Sequence, residues 1–180
     1  MPQIRLTVKM AKELKITELG LPSDNLFMPY DDWYWDVNRI LRKKVFIFMH
    51  IKTRIGLAIP AYEIGGTSGL LECFPLLLRE FLNELGYEKM ADEAYDFFAA
   101  PLSALHFVKT DNKSILRHIS TFKFILDFDA HKANNIDRIL CDSTSRYWLK
   151  HMIKDNDNPK DYTTPLKLAE ALFKWKSKLN

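Results

Sequence analysis

The stretch VKTDNKSILRHI, residues 108–119, runs from strand-like residues into a helical pattern and carries Lys109, Asn112, Lys113, Ser114 and Arg117 around the junction. A helix N-terminus presents unpaired N–H groups and a partial positive charge, which suits an anion. Lys113 and Arg117 are four residues apart and share a helical face, and Lys109 approaches from the strand end. These five residues form a candidate anion-binding site, suited to a nucleotide or nucleic-acid phosphate. The stretch holds no glycine, whereas a P-loop cradle needs glycines for close approach of the backbone. Asp111 or Asn112 also suits the N-cap position and would then occupy the same amides. A phosphate site and an ordinary helix cap are therefore both open at this junction.

The segment DDWYWD, residues 31–36, is the second candidate. In a strand Trp33 and Trp35 share one face and Tyr34 takes the other. Exposed, the three would offer a stacking surface for a base or a protein partner; buried, they would belong to the core. Asp31, Asp32 and Asp36 are of the right type for a divalent cation, but they straddle both strand faces, so no metal site is expected. The five histidines, His50, His106, His118, His131 and His151, form neither HExxH nor a H-x-x-x-H pair. His118 follows Ser114 by four residues, which permits a Ser-His contact on one helix, but no carboxylate completes a triad. No catalytic residue is assigned and no cofactor is expected. Cys73 and Cys141 lie far apart without a CxxC, and are expected to be buried apolar residues and not metal ligands or a disulfide.

The elements that must position these residues follow from periodicity. QIRLTV, residues 3–8, alternates as a half-buried strand, and a short helix over KMAKELKI follows. Residues 17–31 carry Gly20, Pro22, Ser23, Asp24, Asn25 and Pro29, and predict a loop. Residues 33–60 are rich in aromatic and β-branched residues broken by short polar interruptions, which predicts three antiparallel strands. Leu70, Leu71, Phe74, Leu77, Leu78, Phe81, Leu82 and Leu85 recur at spacings of three and four within a helix over 67–86. Thr67 or Ser68 is its expected cap, Gly86 its end, and Pro75 a kink or the first turn. A helix over EKMADEAYDFFAA, a strand over 104–110, and a long helix with Ile115, Ile119, Phe122 and Leu126 buried come next. Helical segments NNIDRILCD and SRYWLKHMI, a polar loop KDNDNPKDY and a last helix opened by Thr164 and Pro165 complete the chain. The expected class is α+β: a mainly antiparallel sheet (N-terminal strand, hairpins over 33–60, strand 104–110) flanked by helices, with a helical C-terminal third. The 180 residues fit one domain, with 130–180 as a helical extension.

The net charge of +3 is too small to require nucleic acid, but it is unevenly spread. Residues 1–60 carry +4, residues 61–105 carry −6 and residues 106–180 carry +5. No run approaches the ~20 apolar residues of a membrane span, and residues 1–16 lack the apolar stretch of a signal peptide, so a cytoplasmic location is expected.

The segments DDWYWDVNRILRKKVFIFMHIKT and FVKTDNKSIL, joined by a Leu-rich helix, resemble an uncharacterised bacterial family known only as a domain of unknown function. Its members pair an N-terminal strand ending in a Lys-rich turn with a D-W-Y segment, an n-x-x-T segment after a strand, and a K-T-x-N-[RK]-S-[IV]-L junction. The likeness covers about residues 2–128. After Leu116 the family usually continues Gly-Ser-Met-Asn, where this chain reads Arg117-His118-Ile119-Ser120. The resemblance implies an intracellular bacterial protein and no particular activity. The expected role is a binding or interaction module that docks an anionic or protein partner, with homo-oligomerisation compatible with the aromatic load. The alternative is an enzyme acting on a nucleotide or nucleic-acid phosphate.

Overall fold

The computed structural model describes residues 1–23, 28–154 and 161–176. Parts of the expected loops over 17–31 and 154–162 lie outside the described residues. The chain forms β1 (Gln3–Leu6), α1 (Val8–Glu13), β2 (Trp33–Ile40), β3 (Lys43–His50), β4 (Gly56–Pro60), α2 (Leu70–Glu84) and α3 (Glu88–Phe98). It continues with β5 (His106–Lys109), α4 (Lys113–Ala133), α5 (Arg138–Leu149), a small pair β6 (Ile153–Lys154) and β7 (Tyr162–Thr163), and α6 (Pro165–Lys176).

The class is α+β. The main sheet has the order β4-β3-β2-β1-β5. Strands β2, β3 and β4 form the antiparallel half, as the hairpin-length interruptions imply. The other half is parallel, with β1 between β2 and β5. Each parallel step is made by chain that crosses over through helices, which strand-by-strand periodicity does not report. The β2–β3 turn consists of Leu41 and Arg42, both at positive φ, the geometry that a two-residue hairpin requires.

Alternation along the strands splits the buried residues into two layers. Ile4, Leu6, Trp33, Trp35, Phe46, Phe48 and Leu57 face α2 and α3, where they meet Leu70, Phe74, Leu78 and Phe98. Tyr34, Val45, Ile47, Met49 and Ala58 face the other way, onto Ile115, Ile119, Phe122 and Leu126 of α4 and Cys141 and Trp148 of α5. Burial on both faces is why VFIFMHI is apolar nearly throughout. Gly56 allows the second layer to close: a Cβ there would stand 3.0–3.1 Å from the rings of Trp148 and Phe122.

Helix α2 differs from expectation at its start. It begins at Leu70 after Gly69, and no side chain caps it. Thr67 instead donates to Glu13, 2.7 Å, and Ser68 donates to the Gly65 carbonyl, 3.0 Å. Pro75 lies inside the helix, and Gly86 follows its end at positive φ.

Trp33 and Trp35 share the first layer but are anchored differently. The Trp33 indole donates to the Tyr30 carbonyl, 2.7 Å. The Trp35 indole N–H is buried and has no hydrogen-bond partner. Trp33→Phe breaks a hydrogen bond and strands a buried carbonyl, whereas Trp35→Phe removes a donor that is already unsatisfied. Urea denaturation is therefore expected to show Trp33→Phe as the more destabilising by about 1–2 kcal/mol.

Candidate functional site

Strand β5 ends beside β1 and leads through Asp111 and Asn112 into α4. Asn112 is the N-cap: its Oδ1 accepts from the amides of Ser114, 3.0 Å, and Ile115, 3.2 Å. The helix start therefore already has an acceptor for two of its free amides. The cap is itself fixed, because the Asn112 amide donates to the Tyr34 hydroxyl, 3.0 Å, which in turn donates to Asp111, 3.1 Å.

Beneath this junction is a buried guanidinium. Arg5, 4% exposed, donates from Nε to Asp32 Oδ1 at 2.7 Å and from Nη2 to Asp32 Oδ2 at 2.8 Å, and pairs through Nη1 with Asp111. It also lies over the Tyr34 ring, 5.6 Å from its centroid. Burial works against the Arg5 charge, but hydrogen bonding to Asp32, with the charges of Asp32, Tyr34 and Asp111, outweighs it and holds the pKa above its ordinary value. Asp32 is 1% exposed and sits at φ +74, in the left-handed region. Its amide donates to Asp31 Oδ1, 2.8 Å, and its carbonyl accepts from Ile51, 3.0 Å.

The five junction residues are spread over the end of β5, the cap and the first turns of α4. Leu6 pairs with Lys109 and Arg5 with Val108, so Lys109 is on the Leu6 side of the sheet, opposite α4. Lys113 and Arg117 are exposed on α4, and Ser114 and Asn112 are half-buried. Trp33, Tyr34 and Trp35 are 1%, 0% and 1% exposed, so the buried alternative is the one realised: the tryptophans pack around Phe74 and Tyr34 holds the junction.

The carboxylates of DDWYWD are likewise committed within the protein. Asp31 accepts from the Gln3 amide, 2.8 Å, although burial raises its pKa against those hydrogen bonds. Asp36 accepts from Thr7 Oγ1, 2.6 Å, and pairs with Lys123 of α4. Among the described residues no group of three or more His, Cys, Asp or Glu is placed to hold a metal.

His118 is 9% exposed on α4. Its ring meets Trp148 edge-on at 6.4 Å, and His151 stacks on Trp148 at 5.0 Å. Burial, followed by the charges of Arg54, Arg117 and His151, lowers the His118 pKa to about 4. Cys141 is buried, with its thiol pKa raised by burial, and Cys73 is half-buried; both are free.

A different surface emerges on the outer side of α4 and α5. Phe124, Phe128, Ile139 and Tyr147 are 71%, 61%, 81% and 60% exposed. Phe124, Phe128 and Tyr147 border an open groove of about 680 Å³ with Ile125, Ala133, Leu140 and Ser143, joined by Asp129 and Lys132. A large exposed apolar patch of this kind marks an interaction site more often than chance.

These features define an α+β domain with a mixed sheet, a pinned strand-to-helix junction and a helical hairpin whose outer face is exposed and apolar. The chain belongs to the family described as Domain of unknown function (DUF6933), whose model matches residues 3–168. No curated protein matches the chain. Among the described residues no helix is long and apolar enough to cross a membrane.

Proposed function

We propose that this domain is an interaction module that docks a protein partner through the outer face of α4 and α5. The observation that carries this reading is the exposure of Phe124, Phe128, Ile139 and Tyr147 on one hairpin. Exposed aromatic side chains of this size are the usual anchors of protein interfaces. Lys113 and Arg117 are exposed on the same helix but do not line the groove.

The rival role, an enzyme acting on a nucleotide or nucleic-acid phosphate, needs cation, acid and base in one concavity. Asp32 and Asp36 are bonded inside the fold, and Lys109 lies across the sheet from Lys113, so the geometry favours docking over chemistry.

A photoreactive amino acid placed at Phe128 tests the reading in cells. A discrete cross-linked protein product is expected from position 128 and none from Leu21, which is 82% exposed elsewhere. Absence of any product at 124, 128 and 147 would remove the proposal.

A further inference from the structure

We propose that the occupant of the α4–α5 groove is a second copy of this chain, giving a twofold dimer in which each copy's Phe124 and Phe128 enter the other's groove. This rests on the docking role proposed above and names its partner.

An isologous interface requires one face to carry both the projecting and the receiving parts, side by side. Phe124 and Phe128 are four residues apart and form a ridge on α4. The groove beside that ridge has half-buried Ile125 and Leu140 in its lining and is bounded by Tyr147 on α5. Ridge and groove are of the same apolar chemistry and lie side by side, which is what a twofold pairing of copies requires.

Charge favours this occupant over a polyanion. The groove lining contains one carboxylate, Asp129, and one ammonium, Lys132. A nucleic acid would call for an excess of cations, whereas two copies of a groove whose lining is charge-balanced meet there without net repulsion.

Area points the same way. At their stated exposures the three aromatic residues present about 400 Å² of accessible surface. That is roughly half of the ~800 Å² per partner in a standard-size interface, before Ile139 and the groove walls are added. An unpartnered copy would leave all of it in water.

Sedimentation velocity at micromolar concentration tests the proposal on the whole chain. The expected species has twice the 21.1 kDa chain mass. Phe124→Asp and Phe128→Asp are each expected to shift it to the single-chain mass with an unchanged circular-dichroism spectrum, since both side chains face solvent in the isolated chain. Leu76→Asp, at a position 46% exposed on α2, should remain dimeric. A monomeric wild-type protein overturns the proposal, as does a dimer that survives both aspartate variants. Monomeric wild type with a cross-link from position 128 to a different polypeptide would leave the docking role standing and remove only the second copy. Monomeric wild type with no cross-link removes both.

Discussion

Replacing Asp32 with alanine is expected to destabilise the fold by about 3–5 kcal/mol, a large part of the roughly 5–15 kcal/mol that holds a domain of this size. The loss has two sources. Alanine removes both oxygens that accept from Arg5 and leaves a 4% exposed guanidinium with Asp111, whose side chain is 55% exposed, as its remaining carboxylate. Breaking one side of a buried pair costs far more than the pair contributes net, because the surviving charge stays desolvated. The second source is the backbone: φ +74 lies in the left-handed region, which aspartate tolerates better than alanine. Arg5→Ala and Arg5→Ala with Asp32→Ala complete a thermodynamic cycle by urea denaturation. The double variant is expected to cost less than the two single losses together, since removing both partners leaves no orphaned charge. Losses that add within about 0.5 kcal/mol would show that the two side chains act independently. Asp111→Ala should cost only about 1 kcal/mol, because that partner is more than half exposed.

How much of this was legible in the chain depends on the range of the interaction concerned. Helices α2 and α4 were readable because each buries one stripe, and Leu70, Phe74, Leu78, Ile115, Ile119, Phe122 and Leu126 repeat at helical spacing. The β2–β4 meander was readable because neighbouring strands are joined by short turns. The parallel pairing of β1 with β2 and β5 was not, since strand direction is set by the crossovers and leaves no local periodicity. In that register Lys109 stands on the Leu6 face of the sheet, while Lys113 opens the helix that packs on the other face.

The Arg5–Asp32 pair joins residues 27 apart, and neither position has a neighbour that signals the contact. The exposed aromatic pair of α4 did leave a trace. At 100° per residue, Phe124 and Phe128 fall about half a turn from the buried stripe of α4, so that helix is apolar on two sides. A helix of that kind needs cover on both. The sheet provides one, and Phe124 and Phe128 on the second side are exposed, which is the feature the proposed docking rests on. The aromatic segment 33–35 drew attention for its composition, yet tryptophan beside a fully buried strand packs inside.

Acidification is expected to destabilise the protein by several kcal/mol between about pH 6.5 and pH 3, before general acid unfolding is considered. The principal group is His50, which is 0% exposed. Its Nε2 lies 2.9 Å from the Asp31 carbonyl oxygen and must donate to it, while Nδ1 accepts from the Thr53 hydroxyl at 2.8 Å and the Thr53 amide at 3.3 Å. A second ring proton on Nδ1 would face the Thr53 amide proton and require the Thr53 hydroxyl to turn from donor to acceptor. Burial, opposed by the Asp31 hydrogen bond and reinforced by Arg54 and Lys52, lowers the His50 pKa to about 3. The folded state therefore refuses a proton that the unfolded chain accepts below its pKa of about 6.5. Stability is fully present above that value and is lost as pH falls towards about 3, where the folded state also protonates.

His118, lowered to about 4 by burial and by Arg54, Arg117 and His151, acts in the same direction. Glu13, lowered by its bonds to Lys44 and Thr67, also loses its contribution on acidification. Asp31 opposes them, because a pKa raised by burial makes its folded form the better proton acceptor. Urea midpoints measured from neutral pH downwards should fall steadily. Through the same range the His50 ring should keep the NMR signature of a neutral Nε2–H tautomer at about pH 5, where a free histidine is almost fully charged. An imidazolium signal from His50 in folded protein at that pH would show that the ring is not held by Asp31 and Thr53 as described, and a flat stability profile would show that its burial carries no cost in charge.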